Sequence, residues 1–206
     1  GRLFIVTLSA IGGQLDRTSV VVAAGEIQHF VFGITPSAPI NSQDLRLIFD
    51  CRGSAPVVNV SGLNTFLLSA STDPTPDMVT IAATTTNDGI VNIPGNTGTH
   101  AFAIAAINIG APGTLTATVD DNGRNLALQL ALCQTDPATS ACVNPPTPES
   151  FGGVTVETNS IVTFAAFVTG TGDVPFDTAN NRIFVSFTDV GGVTRGSTSV
   201  AVTTAP

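Results

Sequence analysis

Cysteine is the residue type whose spacing points most directly to chemistry in this chain of 206 residues. Cys133 and Cys142 are separated by eight residues that include Pro137, a loop long enough to double back on itself. We predict a disulfide between them, with two free thiols as the alternative, because an acidic, Lys-free chain is typical of a secreted, oxidising setting. Cys51 is left over, and two interpretations stay open for it: an intermolecular bridge, or a buried thiol acting as a small apolar residue.

Carboxylates form the second group of interest, because Ca²⁺ prefers oxygen ligands. The weak candidates for a calcium site are Asp120, Asp121, Asp173 and Asp177. Asp-Asn-Gly sequences are equally typical of hairpin turns, in which Asp and Asn side chains accept backbone hydrogen bonds. The chain contains no Cys-x-x-Cys sequence and no Cys/His cluster of the kind that binds zinc. We therefore expect turns at the four Asp positions, no metal site and no cofactor.

Histidine, the usual proton carrier of hydrolases, occurs twice. His29 is predicted in the middle of a strand facing solvent, and His100 in a turn that leads into an apolar strand. The sequence contains no Gly-x-Ser-x-Gly elbow, no His-Glu-x-x-His and no phosphate-binding loop. No spacing singles out a catalytic triad, so we predict that the protein is not an enzyme and has no catalytic residues.

The composition excludes several classes of partner. Charged residues make up 11% of the chain, the formal net charge is −8, and Lys, Trp and Tyr are absent. An acidic chain without a basic cluster does not suit nucleic acid or a polybasic membrane attachment. The apolar tracts are far shorter than the roughly 20 residues that cross a bilayer as a helix. A carbohydrate-binding domain is also disfavoured, because Trp and Tyr are the usual aromatic platforms for sugars.

Residue alternation predicts an all-β fold. Apolar residues and threonines alternate with a period of two over residues 114–119, and leucines alternate with other residues over 125–133. The same period places Ile183, Val185 and Phe187 on one face of a strand, and Val200 and Val202 on one face of another. Asn87-Asp88-Gly89, Asp121-Asn122-Gly123 and Gly191-Gly192 supply turn residues between them. Helical periodicity is nearly absent, so we expect antiparallel sheets packed face to face.

The chain contains an internal repeat. A shift of 134 residues aligns residues 19–35 with 153–169, with five identical positions, and the same shift aligns Gly62 with Gly196 and residues 65–68 with 199–202. Between these blocks, residues 45–49 and their Arg46 match residues 181–185 and their Arg182. Residues 3–9 are taken as the counterpart of 126–133. We therefore predict two tandem modules.

The two modules are predicted to be unequal. Residues 1–72 form an incomplete β-sandwich module, residues 73–77 a Pro-containing linker, and residues 78–206 a complete module. Nothing in residues 1–72 corresponds to residues 76–125, and about four strands make a poor sandwich alone. Three explanations are open: the native chain continues upstream, the first module is a smaller variant, or a neighbouring chain donates the missing strands by β-strand addition.

The third explanation draws support from the composition. Edge strands are normally protected by Lys or by inward charges, and this chain has no Lys. The candidate inter-subunit strand consists of Leu3, Phe4, Ile5, Val6, Thr7 and Leu8.

Residues 164–202 carry a resemblance to a known group of modules. Phe167-Val168-Thr169-Gly170-Thr171-Gly172, Val174-Pro175-Phe176-Asp177 and Gly191-Gly192-Val193-Thr194-Arg195-Gly196 are the segments concerned, together with Leu132-Cys133-Gln134-Thr135-Asp136-Pro137. In these segments the chain resembles tandem immunoglobulin-like β-sandwich modules of large secreted or surface proteins of bacteria. The resemblance covers residues 74–202 well and the first 72 residues loosely. It implies an extracellular setting and brings no catalytic residues with it.

Taken together, these observations predict a non-enzymatic structural subunit of an extracellular bacterial filament or surface assembly. The subunit would polymerise through β-strand or edge complementation, with copies of itself as partners. The alternative is an adhesion or spacer module of a larger surface protein, with neighbouring modules as partners. Neither hypothesis involves nucleic acid or insertion into a membrane.

Overall fold

The computed structural model describes residues 2–9, 17–30, 33–51 and 53–205, with side chains described for residues 21–30, 33–49 and 53–204. Secondary structure in these ranges consists of strands, turns and irregular segments, so the fold is all-β, as predicted. The chain divides into two compact units, Gly1–Ala70 and Ser71–Pro206.

The first unit contains a single described sheet. Its strands are β1 (Arg2–Ser9), β2 (Arg17–Val22), β3 (Ile40–Cys51) and β4 (Thr65–Ala70). They are hydrogen-bonded in the order β2-β1-β3-β4, and every pair is antiparallel. The described residues 23–30, 33–39 and 53–64 lie outside strands.

The second unit contains ten strands in two sheets. They are β5 (Met78–Ala83), β6 (Ile90–Pro94), β7 (Thr99–Asn108), β8 (Gly113–Asp120), β9 (Leu128–Thr135), β10 (Thr147–Pro148), β11 (Ser150–Val156), β12 (Ile161–Gly170), β13 (Arg182–Asp189) and β14 (Thr194–Ala205). One five-stranded sheet has the order β10-β9-β12-β7-β5, and the other has the order β11-β8-β13-β14-β6. The β6–β14 pair is parallel, and the other pairs are antiparallel.

The core of the second unit follows from the alternation that the sequence shows. Leu115, Ala117 and Val119 of β8 are buried, whereas the Thr residues between them face away from the core. Phe164 of β12 lies against Phe187 of β13, with ring centroids 5.4 Å apart, and so joins the inner faces of the two sheets. Burial of these side chains between two layers is the main stabilising contribution to such a fold.

The turns also follow the predicted chemistry. Asn122 and Gly123 have φ angles of 54° and 74°, in the left-handed region that Asn and Gly tolerate best. The Asp120 and Asp121 carboxylates accept the backbone N–H groups of Asn122 and Gly123, respectively. The predicted turn is thereby confirmed, but β8 and β9 belong to different sheets, so the turn connects the two sheets and does not close a hairpin.

Candidate functional site

The sheet of the first unit repeats part of one sheet of the second unit. Through the sequence repeat, β2, β3 and β4 correspond to β11, β13 and β14, and the order β2-β1-β3-β4 matches β11-β8-β13-β14. Val20 pairs with Phe4, and its counterpart Val154 pairs with Leu115. Strand β1 therefore occupies the place of β8, and its predicted correspondence to residues 126–133 is wrong.

The position of β1 also corrects the predicted inter-subunit strand. Leu3 pairs with Val21 on one side, and Leu8 pairs with Leu47 of β3 on the other. Because β1 is hydrogen-bonded to β2 and to β3 within the chain, it offers no open edge to a second chain. The terminal strands of this sheet are β2 and β4.

One face of the sheet carries a segment that resembles β12 in sequence but whose described residues, 27–30 and 33–36, lie outside strands. Phe30 corresponds to Phe164, and its ring lies 6.1 Å from that of Phe49 on β3, much as Phe164 lies against Phe187. In the second unit, β12 is hydrogen-bonded to β7 and β9 on its two sides. In the described part of Gly1–Ala70, no strand flanks this segment.

The missing layer leaves core positions exposed. Phe66 of β4 is 44% exposed, whereas Val200, its counterpart in β14, is 1% exposed. Among the side chains described in the first unit, Leu45 is the one buried apolar residue. The large apolar side chains that are exposed in this unit are Val21, Ile27, Val57, Val58, Leu63 and Phe66. The contrast with the second unit lies at Phe66, since Ile161, the counterpart of Ile27, is itself 60% exposed.

The predicted disulfide is present in the second unit. Cys133 and Cys142 are bonded, with Cα atoms 5.7 Å apart. The Asp136 carboxylate accepts the backbone N–H groups of Ala138 and Thr139, and these hydrogen bonds lower its pKa. The bridge therefore closes an ordered loop at the end of β9. The side chain of Cys51 lies outside the described residues, so both interpretations of it stay open.

The calcium candidates are placed in turns. Asp121 accepts backbone hydrogen bonds from Gly123 and Leu126, and Asp177 accepts them from Ala179 and Asn180. The hydroxyl of Thr204 donates to Asp173 over 3.5 Å. No group of three His, Cys, Asp or Glu side chains with the geometry of a metal site occurs in the described residues. The structure thus shows these carboxylates as hydrogen-bond acceptors of the turns.

The two histidines lie in different units. His29 is exposed and lies in an irregular segment, so its predicted place in a strand is wrong. The sequence around His29 resembles a strand, but no strand among the described residues is hydrogen-bonded to this segment. His100 lies within β7 rather than in a turn, with Nδ1 3.1 Å from the carbonyl oxygen of Ala101.

A cavity of about 760 Å³ opens at one end of the second unit. It is lined by leucines of β9 and the segment before it and by the turn after β8, including Leu126, Leu128, Asp120 and Asp121. Both Asp side chains already accept backbone hydrogen bonds from the turn. The lining is mixed, because polar side chains such as Asn125, Gln129 and Glu149 lie beside the leucines.

Sequence reasoning missed a buried polar residue that organises one end of the second unit. Asn108 is fully buried; its side-chain amide donates to the carbonyls of Ala111 and Glu157, and its Oδ1 accepts the N–H groups of Asp77 and Gly110. The sequence offers one signal for it, an Asn at the end of a strongly apolar strand. A buried amide needs hydrogen-bond partners for all its groups, so an Asn in such a place predicts a cluster of hydrogen bonds.

Within the described residues, no helix is long and apolar enough to cross a membrane. No protein-family model matches the chain, and no curated protein matches it.

Among solved structures, AvmM, which catalyses macrocyclisation in alchivemycin A biosynthesis, is similar over 63% of this chain and 90% of its own, with 15% identity and a TM-score of 0.38. A family 123 glycoside hydrolase from Clostridium perfringens is similar over 62% of this chain and 27% of its own, with 11% identity and a TM-score of 0.31.

Proposed function

We propose that this protein is a non-enzymatic structural subunit of an extracellular bacterial filament or surface assembly. Its two units would follow an immunoglobulin-like plan, and the first would be completed by β-strands of a neighbouring copy. The observation that carries the proposal is the contrast between equivalent positions: Val200 is buried, and Phe66 is 44% exposed.

The second unit shows how a sheet of this kind is stabilised. A sheet with one apolar face needs a second layer, and in the second unit the β10-β9-β12-β7-β5 sheet supplies that layer. In the part of the first unit that the structure describes, the counterpart of the other sheet is the one sheet present. Strands from outside residues 1–70 would therefore supply the second layer.

The remaining features are compatible with an extracellular assembly. The Cys133–Cys142 disulfide suits an oxidising compartment. The chain has 11% charged residues and no Lys, a composition suited to a surface that is largely covered by neighbouring subunits.

Sedimentation velocity over a wide concentration range, with negative-stain microscopy of the same samples, tests the proposal. We expect the 20.9 kDa chain to form larger species as the concentration rises and filaments or sheets in the images. A compact monomer at every concentration would overturn it.

The mass of the native protein separates this proposal from completion by an upstream segment of the same polypeptide. A native chain that carries further β-strands before Gly1 and remains monomeric would favour the upstream explanation. A native chain of this mass that polymerises would favour donation between copies.

A further inference from the structure

The two units contain one unprotected edge strand each, and this asymmetry has a consequence for assembly. Natural sheets protect their edges with charges, prolines, bulges or very short strands. The described sheets end in six edge strands, β2 and β4 in the first unit and β10, β5, β11 and β6 in the second.

Four of these edges carry a protective feature. Strand β10 has two residues and ends at Pro148, and β6 ends at Pro94. Strand β11 has a register shift at Gly152 and Gly153, and β2 begins with the charged Arg17. Each of these features disfavours regular pairing with a further strand.

Strands β4 and β5 carry none of these features. Thr65–Ala70 and Met78–Ala83 each have six residues, without a charge, a proline or a glycine. Strand β5 pairs with β7 in unbroken register, and the register shift between β3 and β4 lies on β3. At its first residue, the buried Met78, β5 lies against Gly196 of β14. The edge of β4 and the edge of β5 beyond Met78 are therefore templates for a further antiparallel or parallel strand.

In the second unit, the strand that corresponds to β4 has a neighbouring strand on both sides. Its counterpart β14 pairs with β13 on one side and with β6 on the other. Strand β4 pairs with β3, the counterpart of β13, and is the last strand of its sheet. Among the described residues, no strand lies beside β4 at the place where β6 lies in the second unit.

The edge of β5 continues into an uncharged outer sheet face. Val79 is 50% exposed and Ile81 65% exposed, and across the register they neighbour Ile107 and Ala105 of β7. A shallow cavity of about 200 Å³ on this face is lined by Ile81, Ala83 and Ala105, among others. A strand added to β5 would therefore meet no charge on this face.

Strands β4 and β5 are the two edge strands without a protective feature, and they lie on different units of one chain. We infer that β4 of one copy pairs with β5 of the next. This inference rests on the proposed function and adds a second contact to it: the pairing extends the sheet of the first unit at its edge, beside the strands that would cover its apolar face. The interface is heterologous, since two different surfaces meet, and such an interface generates an open chain unless its rotation closes a ring. The two strands have equal length, and neither brings a charge into the new ladder.

Lysine substitutions on the outward faces of the two strands test the contact. Leu67→Lys places a cation at a half-buried site of β4, opposite Asp44 in the β3–β4 register. Ile81→Lys places a cation at a 65% exposed site of β5. We expect either change to raise the concentration needed for assembly by roughly tenfold or more, as an edge lysine opposes strand addition.

Matched controls add the same charge to interior strands. Ile161→Lys lies on β12, on the same outer face as Ile81 and with 60% exposure, and Ile48→Lys lies on the interior strand β3. Both controls should assemble at the wild-type concentration, because neither residue lies on an edge strand.

Mixing the two test variants gives the decisive result. The Leu67→Lys chain keeps an intact β5, and the Ile81→Lys chain keeps an intact β4, so a 1:1 mixture can form one contact and no more. Sedimentation should show each variant alone as a monomer and the mixture as a heterodimer of twice 20.9 kDa.

A backbone variant guards against misfolding. Ile109 N–H donates to the Asp77 carbonyl over 2.8 Å, and hydrogen-bonded pairs alternate along an antiparallel ladder. The backbone groups of Val79 and Ile81 therefore point to β7, and those of Ala82 point to the open edge. Ala82→Pro therefore removes an edge donor without breaking the β5–β7 ladder. It should act like Ile81→Lys, and protected β12 amides in hydrogen exchange would show that the second unit is folded.

The remaining outcomes each overturn a defined statement. Dimers of a single variant, with no new species in the mixture, would indicate pairing of like edges and overturn the heterologous contact. Wild-type assembly that survives Leu67→Lys, Ile81→Lys and Ala82→Pro would overturn the edge assignment and leave the proposed function standing. A monomeric wild-type chain would overturn both.

Discussion

Val200 in the second unit and Phe66 in the first occupy equivalent positions of the repeat, yet one is 1% and the other 44% exposed. The same holds for the aromatic residues that face these sheets: Phe164 is 1% exposed, and its counterpart Phe30 is half-buried. The difference lies in the layer above the sheet rather than in the strand sequences. Equivalent strands become a core when a second sheet covers them.

The matched arginines show the same contrast with a polar group. Arg182 is buried and donates to the side chain and carbonyl of Ser199 and to the carbonyl of Thr178, and burial lowers its pKa. Arg46, at the matching position, is exposed. One sequence feature thus has two environments: it is buried in the unit with two sheets and exposed in the unit with one described sheet.

Truncation of one aromatic ring in each unit should show the largest difference in stability between them. Phe187→Ala removes a fully buried ring that contacts Phe164 and should cost the second unit about 3–5 kcal/mol. Phe66→Ala, at a half-exposed ring, should cost the first unit less than about 1.5 kcal/mol in the monomer. Urea denaturation at dilute concentration measures both. Equal losses would show that the first unit has a closed core.

Loss of the disulfide should affect one unit. A cross-link that closes a loop of about ten residues stabilises by roughly 2–3 kcal/mol in the chain-entropy description. Cys142→Ser should therefore lower the midpoint of the second unit and leave the first unchanged, as differential scanning calorimetry or urea denaturation can show. A shift of both transitions would mean that the units unfold together.

An ion pair in the second unit should give it a distinct acid dependence. Asp189 bonds Arg195 over 2.7 Å and accepts the N–H groups of Gly191 and Val193. Burial raises the pKa of Asp189, but the Val193 N–H and the Arg195 guanidinium outweigh it and leave the pKa below its ordinary value of 3.8.

Because the pKa is depressed on folding, this stabilisation is present above about pH 4 and is lost as the pH falls through the folded-state pKa. Asp189→Asn should cost the second unit about 1–2 kcal/mol at pH 7 and progressively less below pH 4. Denaturation of both proteins at pH 7 and pH 3 measures the difference. A cost that is the same at both values would rule out the ionised carboxylate as its source.

The smallest effect is expected at an exposed position of the first unit. Val58 is 72% exposed, so Val58→Thr, which keeps the shape of the side chain, should change the stability of the monomer by less than about 0.5 kcal/mol. A thermal denaturation series at dilute concentration is sufficient. A loss above about 1 kcal/mol would indicate that the monomer buries this side chain, against the proposed difference between the units.

The sequence patterns predicted those elements whose conformation depends on residues close by in the chain. The alternation in β8 and β13 and the Asn122-Gly123 turn are of this kind. The strand expected around His29 failed because a strand exists through its hydrogen-bonding neighbours, which a local pattern does not contain. For the same reason, alignment alone paired β1 with the wrong strand of the second unit.

The candidate contact was only half visible in the sequence. The absence of Lys indicated unprotected edges, but which strands lie at an edge depends on sheet order. The order placed residues 3–8 in the interior and Thr65–Ala70 and Met78–Ala83 at the ends of their sheets. Sheet order is a long-range property, so single-strand patterns do not reveal it.

Hydrogen–deuterium exchange at increasing protein concentration tests directly whether the sheet of the first unit is uncovered in the monomer and covered on assembly. Amide protection follows the free energy of local opening, so an uncovered sheet exchanges faster than a covered one. In the dilute chain, we predict fast exchange over Thr65–Ala70 and slow exchange over the equivalent residues 199–204, with protection of β4 rising as assembly proceeds. Equal protection of both segments in a chain that is monomeric would contradict the account.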